Sequence, residues 1–393
     1  MKQIFTKTLV VVASLVVALI MCEAGLRLLG IEYPDFYDFD PCLGSRLRAG
    51  ISGHFNKEGG GYVSINSDGL RDREHSLYHP LNTLRIAVLG DSFAEAMQVN
   101  REEAFWAIME KNLQGCPHLQ GREVEVINFG QAGFGTGQEL LALRHRVWRY
   151  SPDVVLLAFF TDNVRRNSPA LMLYDFNPYF TLQDGELVLH DRRTREKCEE
   201  VESSWTWAWK FMRWRQDHFR VSQVLYQAER AWESWWANKG QPAASAVAKE
   251  GSEAGLLDNI YFRPADPVWQ DAWKVTEALL LQMRDEVTAR GAKFFVVVLT
   301  TGIQVNPDPA TREAFAKGLG VQDLFYPDHR LETFCQQKGI PVLLLAPAFQ
   351  EYATTHQVFL HGFKDNPGGG HWNQNGHRLA GEMITKWLCG QLH

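Results

Sequence analysis

Four stretches of the chain carry groups that can do acyl-transfer chemistry if the fold brings them together. Gly90-Asp91-Ser92 closes an apolar run and offers a hydroxyl nucleophile. "NFGQAGFGTG" offers backbone N–H donors in a loop at Gly130 and Gly133. "FFTDN" offers an amide side chain, Asn163, and "GGGHWNQNGH" offers an imidazole, His371. A serine attacking a carbonyl needs a base for its proton and donors for the oxyanion that develops. Serine, histidine, a glycine N–H and an asparagine amide are those parts. Each has a plain use when taken alone. Gly-Asp-Ser is a common turn, Gly133 punctuates a loop, Asn163 caps or turns, and His371 suits a surface loop. The four nevertheless follow one another at the ends of successive strand-like runs, where open α/β sheets place their sites.

The elements that would carry them alternate. "LRIAVLG", "VEVINFG", "DVVLLAFF", "KFFVVVLT" and "IPVLLLAP" read as buried strands. "EEAFWAIMEKNL", "GQELLALRHRVWRY", "AWKVTEALLLQMRDEV", "LETFCQQKG" and "NGHRLAGEMITKWL" read as helices. Strands this uniformly apolar are covered on both faces, as in a parallel sheet. The alternation predicts a three-layer α/β domain around five mainly parallel strands.

The order of the four blocks resembles that of the SGNH (GDSL) serine hydrolases. The matching residues are Gly90-Asp91-Ser92, Gly133 in "NFGQAGFG", Asn163 in "FFTDN" and His371 in "HWNQNGH". The resemblance covers about residues 84–389, without an insertion. It implies a flavodoxin-like sheet, Ser92 as nucleophile and His371 as base. It further implies an oxyanion hole made by the N–H groups of Ser92 and Gly133 and the Asn163 amide, with no metal or organic cofactor. Two positions depart from the pattern. Asn163 is followed by Val164 instead of aspartate, and Gly368 stands where an aspartate three residues before the histidine is usual. The nearest acid is Asp365, which could orient the ring or be a solvated loop acid beside Lys364. A backbone carbonyl or a water could do the same. Asp91 is expected to brace the loop, and His377 to lie within the final helix.

With 393 residues, 45% of them hydrophobic, the chain can bury a large core. A net charge of −6 and the lack of any basic tract exclude nucleic acid as a partner. The six cysteines form no Cys-x-x-Cys pair, so their spacing supports no metal site and leaves disulfides open. Lys2 and Lys7 precede an apolar run from Leu9 that continues to Leu29, with Glu23 and Arg27 four apart. This predicts an N-terminal membrane anchor with the rest of the chain outside the cytoplasm, or a secreted protein if the segment is cleaved.

Five regions are expected: an anchor or signal at 1–29, a packing extension at 30–83 without chemistry of its own, hydrolase parts at 84–163 and 263–393, and a helical insertion at 164–262. Seven of the thirteen Trp lie in the insertion, at 205, 207, 209, 214, 232, 235 and 236. They fit a lid packed on the core, a carbohydrate-stacking surface or a membrane-interface belt. "QPAASAVAKEGSEAG" behind them reads as a flexible linker. The functional expectation is an exported serine esterase acting on an acyl ester or an acetylated carbohydrate. The alternatives are an O-acyltransferase acting on a cell-surface polysaccharide and a non-catalytic binding protein with a degenerate site.

Overall fold

The computed structural model describes residues 2–172, 176–203, 206–239, 256–364 and 366–392. Trp205, Asp365 and the linker at 241–255 lie outside them.

An apolar helix, α1 (Lys2–Leu28), leads the chain. Two small antiparallel pairs follow: β1 (Tyr37–Asp40) with β2 (Gly44–Leu47), and β3 (Ser52–His54) with β4 (Tyr62–Ser64). The α/β domain then opens with β5 (Thr83–Gly90), the short α2 (Ser92–Glu95), α3 (Phe105–Leu113), β6 (Glu123–Asn128), α4 (Thr136–His145), β7 (Val154–Phe159) and α5 (Asn163–Arg166). After the interruption described below come α9 (Pro267–Ala289), β10 (Lys293–Val298), α10 (Pro309–Leu319), α11 (Tyr326–Gln337), β11 (Val342–Leu344), α12 (Ala346–His356) and α13 (Gln374–Gln391).

Five strands form one sheet in the order β11-β10-β7-β5-β6, every pairing parallel. Counted among themselves they run 2-1-3-4-5, the flavodoxin-like order, whose ligand crevice lies at the switch between the first and third strands. Those strands are β5 and β7, and Ser92 and Asn163 follow them. Residues of β5 and β7 are buried throughout, so each must be apolar on both faces. Besides Thr83, the polar exception in β5 is Arg85. Its guanidinium is fully buried and donates to Glu125 Oε2 (2.7 Å) and to the carbonyls of Tyr150, Ser76 and Tyr78, so the burial leaves no orphan charge. Helices α3 and α13 pack together, and α4 and α9 pack together, in the two helical layers. A disulfide, Cys116–Cys389, ties the loop after α3 to α13 across 273 positions.

The helices α10 and α12 were not anticipated from the sequence. The interruption after α5 also differs from a purely helical insertion. It begins with a hairpin, β8 (Tyr179–Gln183) and β9 (Glu186–His190), whose Asp184-Gly185 turn has φ of 52° and 86°. Such a pair of positive φ values is the type I′ requirement, which Asp-Gly meets well. Helices α6 (Arg192–Ser203), α7 (Trp207–His218) and α8 (Arg220–Lys239) follow. Among the described residues, no Trp of this insertion is buried in the core. Trp207, Trp214, Trp232, Trp235 and Trp236 are all exposed. The inner faces of α7 and α8 instead hold the extension through ion pairs Arg213–Asp38 (2.9 Å), Arg48–Asp217 (2.7 Å) and Arg220–Glu32.

Candidate active site

Ser92 is the first residue of α2, directly after β5. Asp91 caps that helix, its Oδ1 accepting from the Phe93 N–H at 3.0 Å. Arg166 Nη1 donates to the other oxygen, Asp91 Oδ2, at 2.8 Å. Asp91 therefore braces the loop, as expected, and leaves the hydroxyl of Ser92 for His371. Ser92 Oγ lies 2.8 Å from His371 Nε2, in hydrogen-bond geometry.

The other ring nitrogen has a partner that the sequence did not reveal. His371 Nδ1 donates to Glu58 Oε2 at 2.5 Å, and the His371 backbone N–H donates to Glu58 Oε1 at 3.0 Å. Glu58 stands between β3 and β4, in the extension read as having no chemistry. That reading is corrected: a carboxylate from the extension fills the place left by Gly368. Burial raises the Glu58 carboxyl, but the bonds and charge of His371 outweigh it, and the group ends below its ordinary value. Glycine is required at Gly370, at φ 72°, because a Cβ there would collide with Glu58 Oε1. Asp365 lies outside the described residues.

The loop carrying His371 is held rigidly. Trp372 Nε1 donates to Thr300 Oγ1 (2.8 Å), which bonds His361 Nε2 (2.7 Å), while His361 Nδ1 donates to the Gly370 carbonyl (2.8 Å). Burial pushes His361 down to about 4 and keeps it neutral. His377 lies within α13, buried, its Nδ1 accepting from the Phe105 N–H at 3.3 Å and its titration pushed down by burial to about 3.

Gly133 and Ser92 both line a cleft of about 770 Å3. Gly133 sits at φ 80°, in a loop where glycine is needed for its backbone conformation, since a Cβ there would meet nothing. Neither the Ser92 nor the Gly133 N–H has an acceptor among the described residues. Gly130 packs against α2, where a Cβ would strike Ala94. Asn163 is placed differently. It is fully buried and not among the residues that line the cleft, its Nδ2 donating to Glu139 Oε1 (3.0 Å) and its Oδ1 accepting from Arg166 Nη1 (3.1 Å). Burial raises the Glu139 carboxyl well above its usual range.

Around the serine the cleft is walled by Tyr37, Phe39, Lys57, Phe176, Trp209, Arg213, Tyr226 and Arg230. Phe39 and Phe176 meet edge to face at 5.5 Å. Glu95, on α2, also lines it, yet is almost wholly buried. Its Oε2 accepts from the Tyr37 hydroxyl at 2.8 Å, and its carboxylate also accepts from the Ala132 N–H beside Gly133. Burial raises Glu95 to about 7, against the opposing pull of Tyr37, Ala132, Arg71 and His371. The native state therefore binds a proton that the unfolded chain has released between about pH 4.5 and 7. Stability falls as pH rises through that window, by about 3 kcal/mol for this group. Thermal melts from pH 5 to pH 8 are expected to show a flatter pH dependence for Glu95→Gln than for wild type. Parallel curves would assign the pH dependence to other groups, such as buried Asp328, also raised by burial to about 7.

No family model and no curated protein matches the chain. Several solved structures are similar to it. One is an acetyl xylan esterase, AlAXEase, at 12% identity and a TM-score of 0.39 over 77% of this chain and 98% of that one. Another is a catalytic mutant of an acetylxylan esterase from Geobacillus stearothermophilus, at 10% identity and 0.39 over 79% and 95%. A third, described as lipolytic and of the G-D-S-L family, comes from Desulfitobacterium hafniense, at 11% identity and 0.34 over 77% and 98%.

Proposed function

We propose that the chain is an exported serine esterase of the SGNH (GDSL) kind, anchored by α1. The observation that carries the reading is the chain of bonds Ser92 Oγ–His371 Nε2 and His371 Nδ1–Glu58 Oε2, at 2.8 and 2.5 Å, opening onto the cleft. It supports the following mechanism. His371 Nε2 takes the Ser92 proton as Oγ attacks the ester carbonyl. Glu58 holds Nδ1–H, which fixes the accepting tautomer and stabilises the imidazolium. The Ser92 and Gly133 N–H groups and the second N–H of Asn163 Nδ2 receive the oxyanion. His371 then protonates the leaving alcohol. Water, deprotonated by His371, releases the acid and restores Ser92.

Aromatic walls at Phe39, Phe176 and Tyr226 with polar groups between them suit a sugar ring, so an acetylated carbohydrate is the favoured substrate. The Cys116–Cys389 disulfide supports an oxidising compartment. Lys2 and Lys7 before the apolar helix support a cytoplasmic N-terminus. Glu58 supports the catalytic over the non-catalytic reading, because it offers His371 an acid where Gly368 cannot.

The test is hydrolysis of p-nitrophenyl acetate, with and without a sugar acceptor. Release of p-nitrophenol with free acetate is expected. Acetyl appearing on the sugar would mark a transferase, and no release from any acyl ester would overturn the reading. Asn163→Ala is expected to cost on the order of 10²–10³ in kcat with little change in KM. An unchanged kcat would remove Asn163 from the oxyanion site.

A further inference from the structure

The two Trp-rich helices are amphipathic the wrong way round for a soluble protein. Their inner faces mix charged and aromatic groups. Trp209 and Arg213 of α7, and Tyr226 and Arg230 of α8, wall the cleft. Their outer faces are aromatic. On α7, Trp207, Phe211 and Trp214 recur at i, i+4 and i+7, and their rings stack at 5.8 and 5.9 Å. On α8, Trp232, Trp235 and Trp236 cluster with ring centroids 5.2 to 5.9 Å apart. All six side chains are exposed, Trp207 at 81%. Of the six basic residues between 207 and 239, Arg213 and Arg220 pair with Asp38 and Glu32 and Arg230 lines the cleft, whereas Lys210 and Arg215 are exposed.

This face is joined to the membrane-crossing candidate. Helix α1 has a membrane-span candidate at Gln3–Leu28, in which an 18-residue window reaches a mean hydropathy of 2.5 with none of that window buried. The junction of α7 and α8 is bonded to its C-terminal end. Arg27 Nη2 donates to the His218 carbonyl at 2.7 Å. Glu23 accepts from the backbone N–H groups of Arg220 and Val221 at 3.1 and 3.0 Å. Just beyond the helix, the Tyr33 N–H donates to Gln223 Oε1 at 2.8 Å. A bilayer crossed by α1 therefore has its surface at the level where α7 and α8 meet. Trp rings with interspersed cations are the chemistry that settles at the headgroup boundary, and anionic lipid adds to the attraction.

We propose that the outer face of α7 and α8 lies on a lipid surface, a second membrane contact that holds the cleft mouth at the bilayer. The proposal rests on the reading of α1 as an anchor. It implies that the enzyme meets esters presented at the membrane surface, with its inner helix faces turned to the substrate.

The test uses the full chain reconstituted into phosphatidylcholine–phosphatidylglycerol vesicles containing lipids brominated at shallow or deep positions. The comparison is a variant carrying Trp207→Ser, Trp214→Ser, Trp232→Ser, Trp235→Ser and Trp236→Ser, all at exposed sites, checked by circular dichroism. Wild-type Trp emission is expected to be quenched most by the shallow bromines. The variant should lose most of that quenching while still floating with the vesicles. Flotation of both proteins with equal bromine quenching, and wild-type rings quenched by aqueous iodide, would overturn the second contact and leave the anchor standing. Rings shielded from bromine and iodide alike, with cross-linked pairs lost in the variant, would also overturn it, in favour of a second copy of the chain. Failure of either protein to float would overturn the anchor reading and this proposal with it.

Discussion

Ser92→Ala is expected to abolish turnover of acyl esters, a loss on the order of 10⁶ in kcat, and to end covalent labelling by a fluorophosphonate probe. The size follows from the chemistry. Without Oγ there is no acyl-enzyme, and His371 alone can only assist water. The residual rate would come from the oxyanion donors and from substrate binding. The substitution is mild for the fold, since Ser92 makes its side-chain bond to His371 and the cap of α2 belongs to Asp91. His371→Ala should match it within a small factor, because nucleophile and base act as one unit. Equal labelling of wild type and Ser92→Ala would remove Ser92 from the mechanism.

Glu58→Gln should lower kcat by about 10⁴ with KM nearly unchanged. A glutamine keeps an oxygen to accept the His371 backbone N–H, now 3.0 Å from Oε1. Its amide nitrogen, however, would face Nδ1 and donate to it. That stabilises the tautomer with the proton on Nε2, which cannot accept from Ser92. Loss of activity without loss of thermal stability would separate this tautomer effect from unfolding. Asp365→Asn serves as the contrast and is expected to keep the wild-type rate, because Nδ1 is already engaged by Glu58. A Glu58→Gln enzyme at wild-type speed would show that the Ser-His pair works without its acid.

What was legible in the sequence, and what was not, divides by range of interaction. The strands β5 and β7 were readable because burial on both faces favours apolar residues, and Ser92 and His371, which lie 2.8 Å apart, stood out because each adjoins a recognisable element. Glu58 was not readable. It precedes three glycines in a stretch without periodicity, and 313 positions separate it from the histidine it bonds. Sequence proximity instead drew the expectation to Asp365. The hairpin β8–β9 had a local signal, the Asp-Gly turn between alternating strands, that the seven Trp residues overshadowed. Placement of the Trp rings could not be read either, since helical spacing shows which side chains share a face but not whether that face turns inward.

On the proposed mechanism, the bond between Glu58 and His371 also sets when, in the life of the polypeptide, catalysis can begin. Synthesis delivers Glu58 first, Ser92 soon after, and His371 279 positions beyond Ser92, so a ribosome-bound chain that has not reached His371 lacks the proposed base. Cys389 is later still, and its pairing with Cys116 waits for an oxidising space. A chain crossing the membrane in an unfolded state would thus remain inert toward esters in the cytoplasm. On the proposed mechanism, hydrolysis would begin only once Glu58 and His371 have met, so turnover would report that this long-range contact has formed.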